Sequence, residues 1–518
     1  MESASDLPGS FSPRVRRVAL LAGPALALLV YLVLPERYVD VSGSVAEFSP
    51  AGRATLAVTA WMALWWVTEA VPIVVTALVP IAVFPVLGIA GIGKATAPYA
   101  SDVIYLFFGG FVLAAAIQRW GLDRRIAYRT LALVGTHADR MIAGFMLATA
   151  VLSMWVSNTA TTAMMVPIAL AVINLVLKRR LGKTLDELGG IPTEDRADRN
   201  FALALLLSIA YSASIGGIGT IIGSPPNGIL VRFFEQKYAQ QISFADWMLI
   251  GLPVVVVFLP AAWLLLTKVI FRNGIGEIEG GREWVRQELK ALGPLSRGER
   301  ATLAVFGATV ALWITRPLLA KIQVGGVAPF AGFSDAGIAV MAALALFMIP
   351  VDPARGIRAM DWETAKKLPW DVLILFGGGL SLAAAIEANG VGQLLGSVTQ
   401  GWGGWPILAV VVAVAMLTTF SSELTSNTAQ VATMLPLLAA IAPGLGVHPA
   451  LLLVTCTLAA SAAFMMPVGT PPNAIVFGTG LVTIPQMCKA GFWLNLAGVV
   501  IVTAVTFLVV APLLVSGN

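Results

Sequence analysis

Long apolar runs separated by short polar ones cover almost the whole chain, and their period and length set the reading. Spans are predicted at 18–35, 53–70, 72–89, 103–119, 200–235, 247–270, 301–318, 336–350, 370–389, 449–480 and 490–514, most of them near the roughly 20 residues needed to cross a bilayer as a helix. Two of these, 200–235 and 449–480, are interrupted by Gly223-Ser224-Pro225-Pro226-Asn227 and Gly469-Thr470-Pro471-Pro472-Asn473. Paired prolines remove backbone donors and clash with the preceding turn, while glycine lets the chain change direction sharply. Two further apolar segments, 141–177 and 405–441, are long enough for two short helices but polar at the centre, where Ser157-Asn158-Thr159 and Ser426-Asn427-Thr428 stand. Both are read as re-entrant hairpins, because backbone that turns at membrane depth must be buried in protein or line a cavity.

These features fall into a repeat. Asp102-Val103, Gly109-Gly110, Ala114-Ala115-Ala116-Ile117 and Gly121 recur as Asp371-Val372, Gly378-Gly379, Ala383-Ala384-Ala385-Ile386 and Gly390 at a constant offset of 269, which also relates the two Ser-Asn-Thr triplets and Pro167 to Pro436. The Pro-Pro-Asn sequences are offset by 246, the contraction falling at the charged loop 178–200 of the first copy. Four spans separate the starts of the two copies, and a hairpin adds two helices without changing parity. The copies are therefore expected to run in opposite directions, with broken helices meeting at the midplane, an arrangement of secondary transporters.

Composition and charge sharpen this. Of 518 residues 58% are hydrophobic and only 12% charged, against about a quarter charged in soluble domains, and the mean hydropathy is +0.85. The fold class is thus an all-α polytopic membrane protein of about eleven transmembrane helices. With Arg14, Arg16 and Arg17 placed in the cytoplasm, 26 of the 33 lysines and arginines fall on the inner side, in segments 14–17, 119–140, 178–199, 268–300, 351–371 and at 489. The other 7 (Arg37, Arg53, Lys94, Arg232, Lys237, Arg316 and Lys321) fall outside. This asymmetry predicts a multi-pass protein of the cell inner (plasma) membrane with a cytoplasmic N-terminus and an outside C-terminus. The loops flanking the second hairpin, 390–404 and 442–448, carry no Lys or Arg, so that hairpin enters from outside and the first from inside. The net charge of +5 records topology rather than a nucleic-acid partner. Cys456, Cys488, His137 and His448 are too few and too scattered for a disulfide framework, a metal cluster or a nucleophile–base pair, so no enzyme is expected.

The candidate site follows from the same motifs. One Ser-Asn-Thr in a membrane segment is commonly a hydrogen-bonding patch between helices; two, in matching order in inverted copies beside two broken helices, point to one site made from two halves. Carbonyls freed at the breaks offer oxygens to a small hard cation. Helix segments starting after each triplet or Pro-Pro aim positive N-terminal dipoles, each about half a charge, at an anion. Glu423, beside the second triplet, has Met154 as its counterpart; it either takes part in a cation or proton step or is a satisfied hydrogen-bonder. Glu69, in Trp65-Trp66-Val67-Thr68-Glu69-Ala70-Val71-Pro72, is read as structural.

Those motifs, together with Ser461-Ala462-Ala463-Phe464-Met465-Met466-Pro467-Val468-Gly469-Thr470-Pro471-Pro472-Asn473, resemble the divalent anion:sodium symporters, a family of di- and tricarboxylate and sulfate transporters. The resemblance covers nearly all the chain beyond the first span. It implies a homodimer in which a transport domain moves as an elevator within a scaffold. It also implies Na+ as coupling ion at two sites, one of Ser153, Ser157, Asn158 and the Gly223 carbonyl, the other of Ser422, Thr425, Asn427 and the Gly469 carbonyl. The substrate is expected to meet Asn158, Thr159, Ser224 and Pro225 on one side and Asn427, Thr428, Thr470 and Pro471 on the other. The expected function is sodium-coupled symport of a C4-type dicarboxylate such as succinate, malate or fumarate; the alternatives are a sodium-independent dicarboxylate exchanger and a citrate or sulfate carrier of the same fold. The expected division is N-terminal scaffold helices 1–100, repeat one 101–271, a cytoplasmic linker 272–300, scaffold helices 301–369 and repeat two 370–518.

Overall fold

A computed structural model describes residues 13–39, 44–191, 195–323, 326–399 and 404–515. The outer domain limits 1 and 518, and part of the loop 390–404, lie outside the described residues. In chain order the first half holds α1 (Pro13–Val33), α2 (Pro50–Thr68), α3 (Ile73–Thr76), α4 (Val79–Val86), α5 (Ile92–Thr96), α6 (Asp102–Arg119), α7 (Leu122–Val134), α8 (Ala138–Ser153), α9 (Asn158–Leu181), α10 (Leu185–Leu188), α11 (Arg196–Gly217), α12 (Pro225–Tyr238) and α13 (Phe244–Leu264). The second half holds α14 (Gly281–Ala291), α15 (Arg297–Leu319), α16 (Asp335–Met348), α17 (Trp362–Ala365), α18 (Trp370–Ala388), α19 (Val391–Thr399), α20 (Ile407–Ser422), α21 (Asn427–Ile441), α22 (Pro449–Ala460), α23 (Pro471–Gly478) and α24 (Ile484–Val505). Among the described residues, strands are confined to two short antiparallel ribbons, Arg37–Val39 with Val45–Glu47 and Pro350–Asp352 with Ile357–Arg358.

The repeat read from sequence is the repeat of elements. A long helix (α6, α18), a short one (α7, α19), a hairpin (α8–α9, α20–α21), a broken helix (α11–α12, α22–α23) and a last span (α13, α24) follow in the same order. Both last spans finish in π-helical turns, Leu265–Ile270 and Thr506–Val515. Each hairpin packs on the first half of its own broken helix, α8 and α9 on α11, α20 and α21 on α22. Each also reaches across the repeat boundary, α9 to α23 and α21 to α12. The first halves form the buried axis of the molecule: the apolar window of α11 is wholly enclosed, whereas those of α1 and α15 are 11% and 17% buried. Residues on α22 from Ala450 to Ala460 are likewise all buried. The breaks therefore sit at the centre of the protein, where only an internally satisfied turn is tolerable.

Local chemistry explains the element ends. Ser157 caps α9, its hydroxyl accepting from Ala160 N at 3.3 Å, and Gly182 closes that helix in the left-handed region at φ 71°. Ser243 with Asp246 and Ser296 with Glu299 form capping boxes at the starts of α13 and α15, each partner satisfying an orphan amide.

The boundaries depart from the sequence reading in six places. The span expected at 72–89 is divided into α3 and α4, with Ala77 and Leu78 between them. The first helix begins at Pro13 rather than 18, and the last at Ile484 rather than 490. The connections 119–140, 268–300 and 390–404 contain α7, α14 and α19. In α7 Leu122, Tyr128 and Leu131 face inward while Arg124 and Arg129 face out, an amphipathic pattern too short and too charged to register as a span. Arg125 breaks that pattern by pointing inward. Its guanidinium pairs with Glu299 of α15 (2.6 and 3.2 Å) and donates to the Leu292 and Gly293 carbonyls, joining α7 to the turn between α14 and α15.

Candidate functional site

The four helices that begin after the polar triplets and the Pro-Pro breaks all start on one cavity of about 1100 Å³. Its walls carry Ser157, Asn158 and Thr159 at the start of α9, Ser224, Pro225 and Pro226 at α12, Ser426, Asn427 and Thr428 at α21, and Thr470, Pro471 and Pro472 at α23. Four amino termini thus turn positive dipole ends to the same space, with free first-turn amides at α9 and α21 and none at the Pro-Pro starts of α12 and α23, a setting that favours an anion without a cationic side chain. The cavity extends to Arg16, Glu69, Arg119 and Lys367, residues on the basic side of the chain. Glu69, the αL cap of α2 at φ 47°, meets Arg16 at 3.4 Å, and Arg119 pairs with Asp361 at 2.5 Å. Glu69 is thus engaged with α1 at the rim.

At the first hairpin the sequence-predicted oxygens converge. One end of the Asn158 amide stands 2.5 Å from Ser153 Oγ, 3.0 Å from the Ala213 carbonyl and 3.2 Å from the Gly223 carbonyl. The Ser153 hydroxyl also lies 2.8 Å from the Ala213 carbonyl. With its nitrogen at that end, the amide donates to all three; with its oxygen there, four oxygens face one another and a small hard cation is the group that satisfies them. In that second orientation the donor set fits sodium. The packing leaves no room for a side chain: a Cβ on Gly217 would stand 2.5 Å from the Asn158 amide and one on Gly223 would stand 2.6 Å from the Gly217 carbonyl. Ser157, the cap of α9, lines the same cavity beside Asn158 and Gly223.

The second hairpin is arranged differently. Ser422 Oγ donates to Gln430 Oε1 at 2.6 Å, and Thr425 Oγ1 reaches the same oxygen at 3.1 Å. Gln430 in turn donates to the Thr418 carbonyl and to Ser421 Oγ. Asn427 Oδ1 is buried without a partner, and the Ala459 carbonyl, which corresponds to Ala213, accepts from Thr419 at 3.3 Å. Gly469 lies against the hairpin tip, where an added Cβ would be 3.2 Å from the Ser422 carbonyl. So Ser153, Asn158 and Gly223 meet, whereas Ser422 and Thr425 gather on Gln430 and leave Asn427 beside them.

Three contributions escaped the sequence reading. The asparagines that end the Pro-Pro-Asn sequences act inwardly: Asn227 Nδ2 donates to the Gly217 and Thr220 carbonyls (3.0 and 2.8 Å), and Asn473 Nδ2 donates to the Met466 carbonyl at 3.0 Å. Part of the carbonyl set freed by the breaks is therefore tied down rather than offered to a ligand. The equal spacing of both asparagines from their prolines was the available signal. The Ala213 carbonyl carried none, since any residue supplies one. Gln430 aligns with Thr161 at the 269-residue offset, and that mismatch marks the asymmetry of the two halves. Thr159 and Thr428 line the cavity as expected, and Ser224 and Thr470 are the residues immediately before α12 and α23.

A family model described as the sodium:sulfate symporter transmembrane region matches residues 29–515. The sodium-dependent dicarboxylate transporter SdcS of Staphylococcus saprophyticus subsp. saprophyticus is 40% identical over 498 residues, spanning 96% of this chain and 92% of that protein. Its namesake from Staphylococcus aureus (strain NCTC 8325 / PS 47) is 39% identical over 494 residues, 95% and 91% of the two chains. Among solved structures, the Alcanivorax borkumensis YdaH transporter, described as having an unusual topology, aligns at a TM-score of 0.55 and 14% identity over 95% of this chain and 98% of its own. That likeness concerns the fold.

Proposed function

The chain belongs to the sodium:sulfate symporter family of membrane transporters, and from that premise we propose that it carries C4-type dicarboxylates across the cytoplasmic membrane by symport with sodium. The observation that carries this reading is the opening of four helix N-termini and two hairpin asparagines onto one cavity. Asn158, Thr159, Ser224 and Pro225 serve one carboxylate of the substrate, and Asn427, Thr428, Thr470 and Pro471 the other. Sodium is bound by Ser153, Ser157, Asn158 and the Gly223 carbonyl in the first half, and by Ser422, Thr425, Asn427 and the Gly469 carbonyl in the second. Co-bound sodium supplies the positive charge that balances a dianion. The crowded oxygens around Asn158 support this, as does the sodium dependence in the names of relatives at 39–40% identity.

In the proposed cycle the hairpins and broken helices of 101–271 and 370–518 form the moving part, and helices from 1–100 and 301–369 the scaffold. The pair of such protomers makes a homodimer. The N-terminus is cytoplasmic and the C-terminus outside, so the cavity rim at Arg16, Arg119 and Lys367 opens inward. The test is uptake of radiolabelled succinate, malate, citrate and sulfate into proteoliposomes, with and without an inward sodium gradient. Saturable uptake of the first two that requires the gradient is expected. Exchange that ignores sodium, or a preference for citrate or sulfate, would replace this reading.

A further inference from the structure

We propose that Glu423 is a positioning residue for the second sodium site: its carboxylate clasps the unwound stretch Phe464–Met466 to the tip of the second hairpin, holds Gly469 there, and brings a whole negative charge that the first site lacks. This rests on the sodium reading above.

The contacts are complete and one-sided. Glu423 Oε1 accepts from Phe464 N at 2.7 Å, Met465 N at 2.9 Å and Asn495 Nδ2 at 2.6 Å, and Oε2 accepts from Met465 N at 3.0 Å and Met466 N at 2.8 Å. Three consecutive amides of an unwound segment thus converge on one buried carboxylate, an arrangement suited to an anion. Asn495 of α24 also accepts from Phe464 N at 3.1 Å, which orients its amide toward Glu423. From the same helix Gly491 abuts the Phe464 and Met465 backbone so closely that a Cβ would collide. The linker is therefore held between a glycine of α24 and the carboxylate of the hairpin. A Cβ on Gly469 would stand 3.3 Å from Glu423 Oε2, so the same carboxylate borders the residue whose carbonyl is assigned to the cation.

The first repeat makes the equivalent link without charge. Met154 stands where Glu423 does, and its side chain packs over Gly219. The connection runs the other way: Thr220 of the linker donates to the Met154 carbonyl and accepts from Gly223 N at 3.1 Å. A neutral hydroxyl therefore suffices to fold a break of this kind, and the carboxylate in the second repeat contributes something more. At that site Ser422 and Thr425 are occupied with Gln430. A fixed anion beside Gly469 compensates by Coulomb attraction in surroundings that screen it weakly.

The test compares wild type, Glu423→Gln and Glu423→Asp as purified full-length protein, titrated with sodium chloride against choline chloride at constant ionic strength. One readout is sodium-dependent thermal stabilisation without substrate. The other is the alkylation rate of Cys488 in sodium-free buffer. This thiol is partly buried, 3.6 Å from the Met465 carbonyl, and reports release of the linker, while Cys456 is fully buried. Glu423→Gln is expected to need about tenfold more sodium and to expose Cys488 to faster alkylation, with Glu423→Asp recovering part of both. Asn495→Ala, which removes one donor and leaves the carboxylate, is expected to shift both readouts in the same direction by less, and it serves if Glu423→Gln does not fold. Wild-type values for either readout in Glu423→Gln, or in Asn495→Ala when it stands in, overturn the proposal. Absence of any sodium response in the wild type overturns the symport reading instead, and Cys488 then still tests the clasp.

Discussion

Asn158 and Asn427 occupy the same place in two helices: each is the first residue of the second arm of its hairpin, and both line one cavity. Each is assigned to a cation and to the substrate at once, so Asn158→Ala and Asn427→Ala should each reduce transport by on the order of 100-fold or more while leaving expression and assembly intact. Uptake assays on purified, reconstituted variants check this. Wild-type rates in either one would remove that asparagine from the site.

Cation and anion ligands should separate by their sodium dependence. If sodium supplies the positive charge that this site lacks, substrate affinity depends on sodium, and sodium affinity depends equally on substrate. Ser153→Ala removes an oxygen within 2.5 Å of the Asn158 amide. It should weaken apparent succinate affinity about tenfold at low sodium, with recovery as sodium rises. Thr428→Ala should show a loss that saturating sodium does not restore. Identical sodium profiles for the two variants would contradict the division of roles.

The glycines at the two breaks should differ in tolerance. Gly217→Ala puts a Cβ 2.5 Å from the Asn158 amide and 3.0 Å from the Gly223 carbonyl, whereas at Gly469 the nearest atoms are 3.2 Å or more away. Sodium-dependent stabilisation should therefore fall much further in Gly217→Ala than in Gly469→Ala. Equal responses would mean that the crowding around Asn158 does not govern cation binding.

Opposite orientation of the repeats is open to direct labelling. A cysteine replacing Trp405, which is 67% exposed, should react with an impermeant maleimide from outside. One replacing the exposed Lys183 should react only after the membrane is opened. Reaction of both from one side would exclude inverted hairpins.

Much of this was legible in the sequence because repetition and polarity inside apolar segments are strong signals. The offsets of 269 and 246 matched element to element, and the triplets fell at the hairpin tips with Ser157 and Ser426 as helix caps. What was not legible depends on three-dimensional company. The division between α3 and α4 lies inside a mostly apolar run, where periodicity gives no cue and Pro80 in the first turn of α4 is the one local signal. The inward turn of Arg125 needs the carbonyls of a distant loop to be satisfied. Gln430 looks like an ordinary polar residue of an amphipathic helix, yet it gathers both hydroxyls of the second tip and makes the two halves unequal.

The four helix N-termini on the central cavity have a consequence for how such a protein can diverge. An arginine that grips a substrate can be lost through one altered codon, and with it the preference for an anion. Here the attracting field belongs to the main chain and is spread over four separate helices, so no single substitution erases it. Heritable variation is then steered toward the hydroxyls and amides that the helices carry, such as Ser224, Thr428 and Thr470 on the cavity wall, to which the proposed function assigns the substrate. On the proposed reading, a lineage built on this frame can change which anion it accepts without losing its attraction for anions.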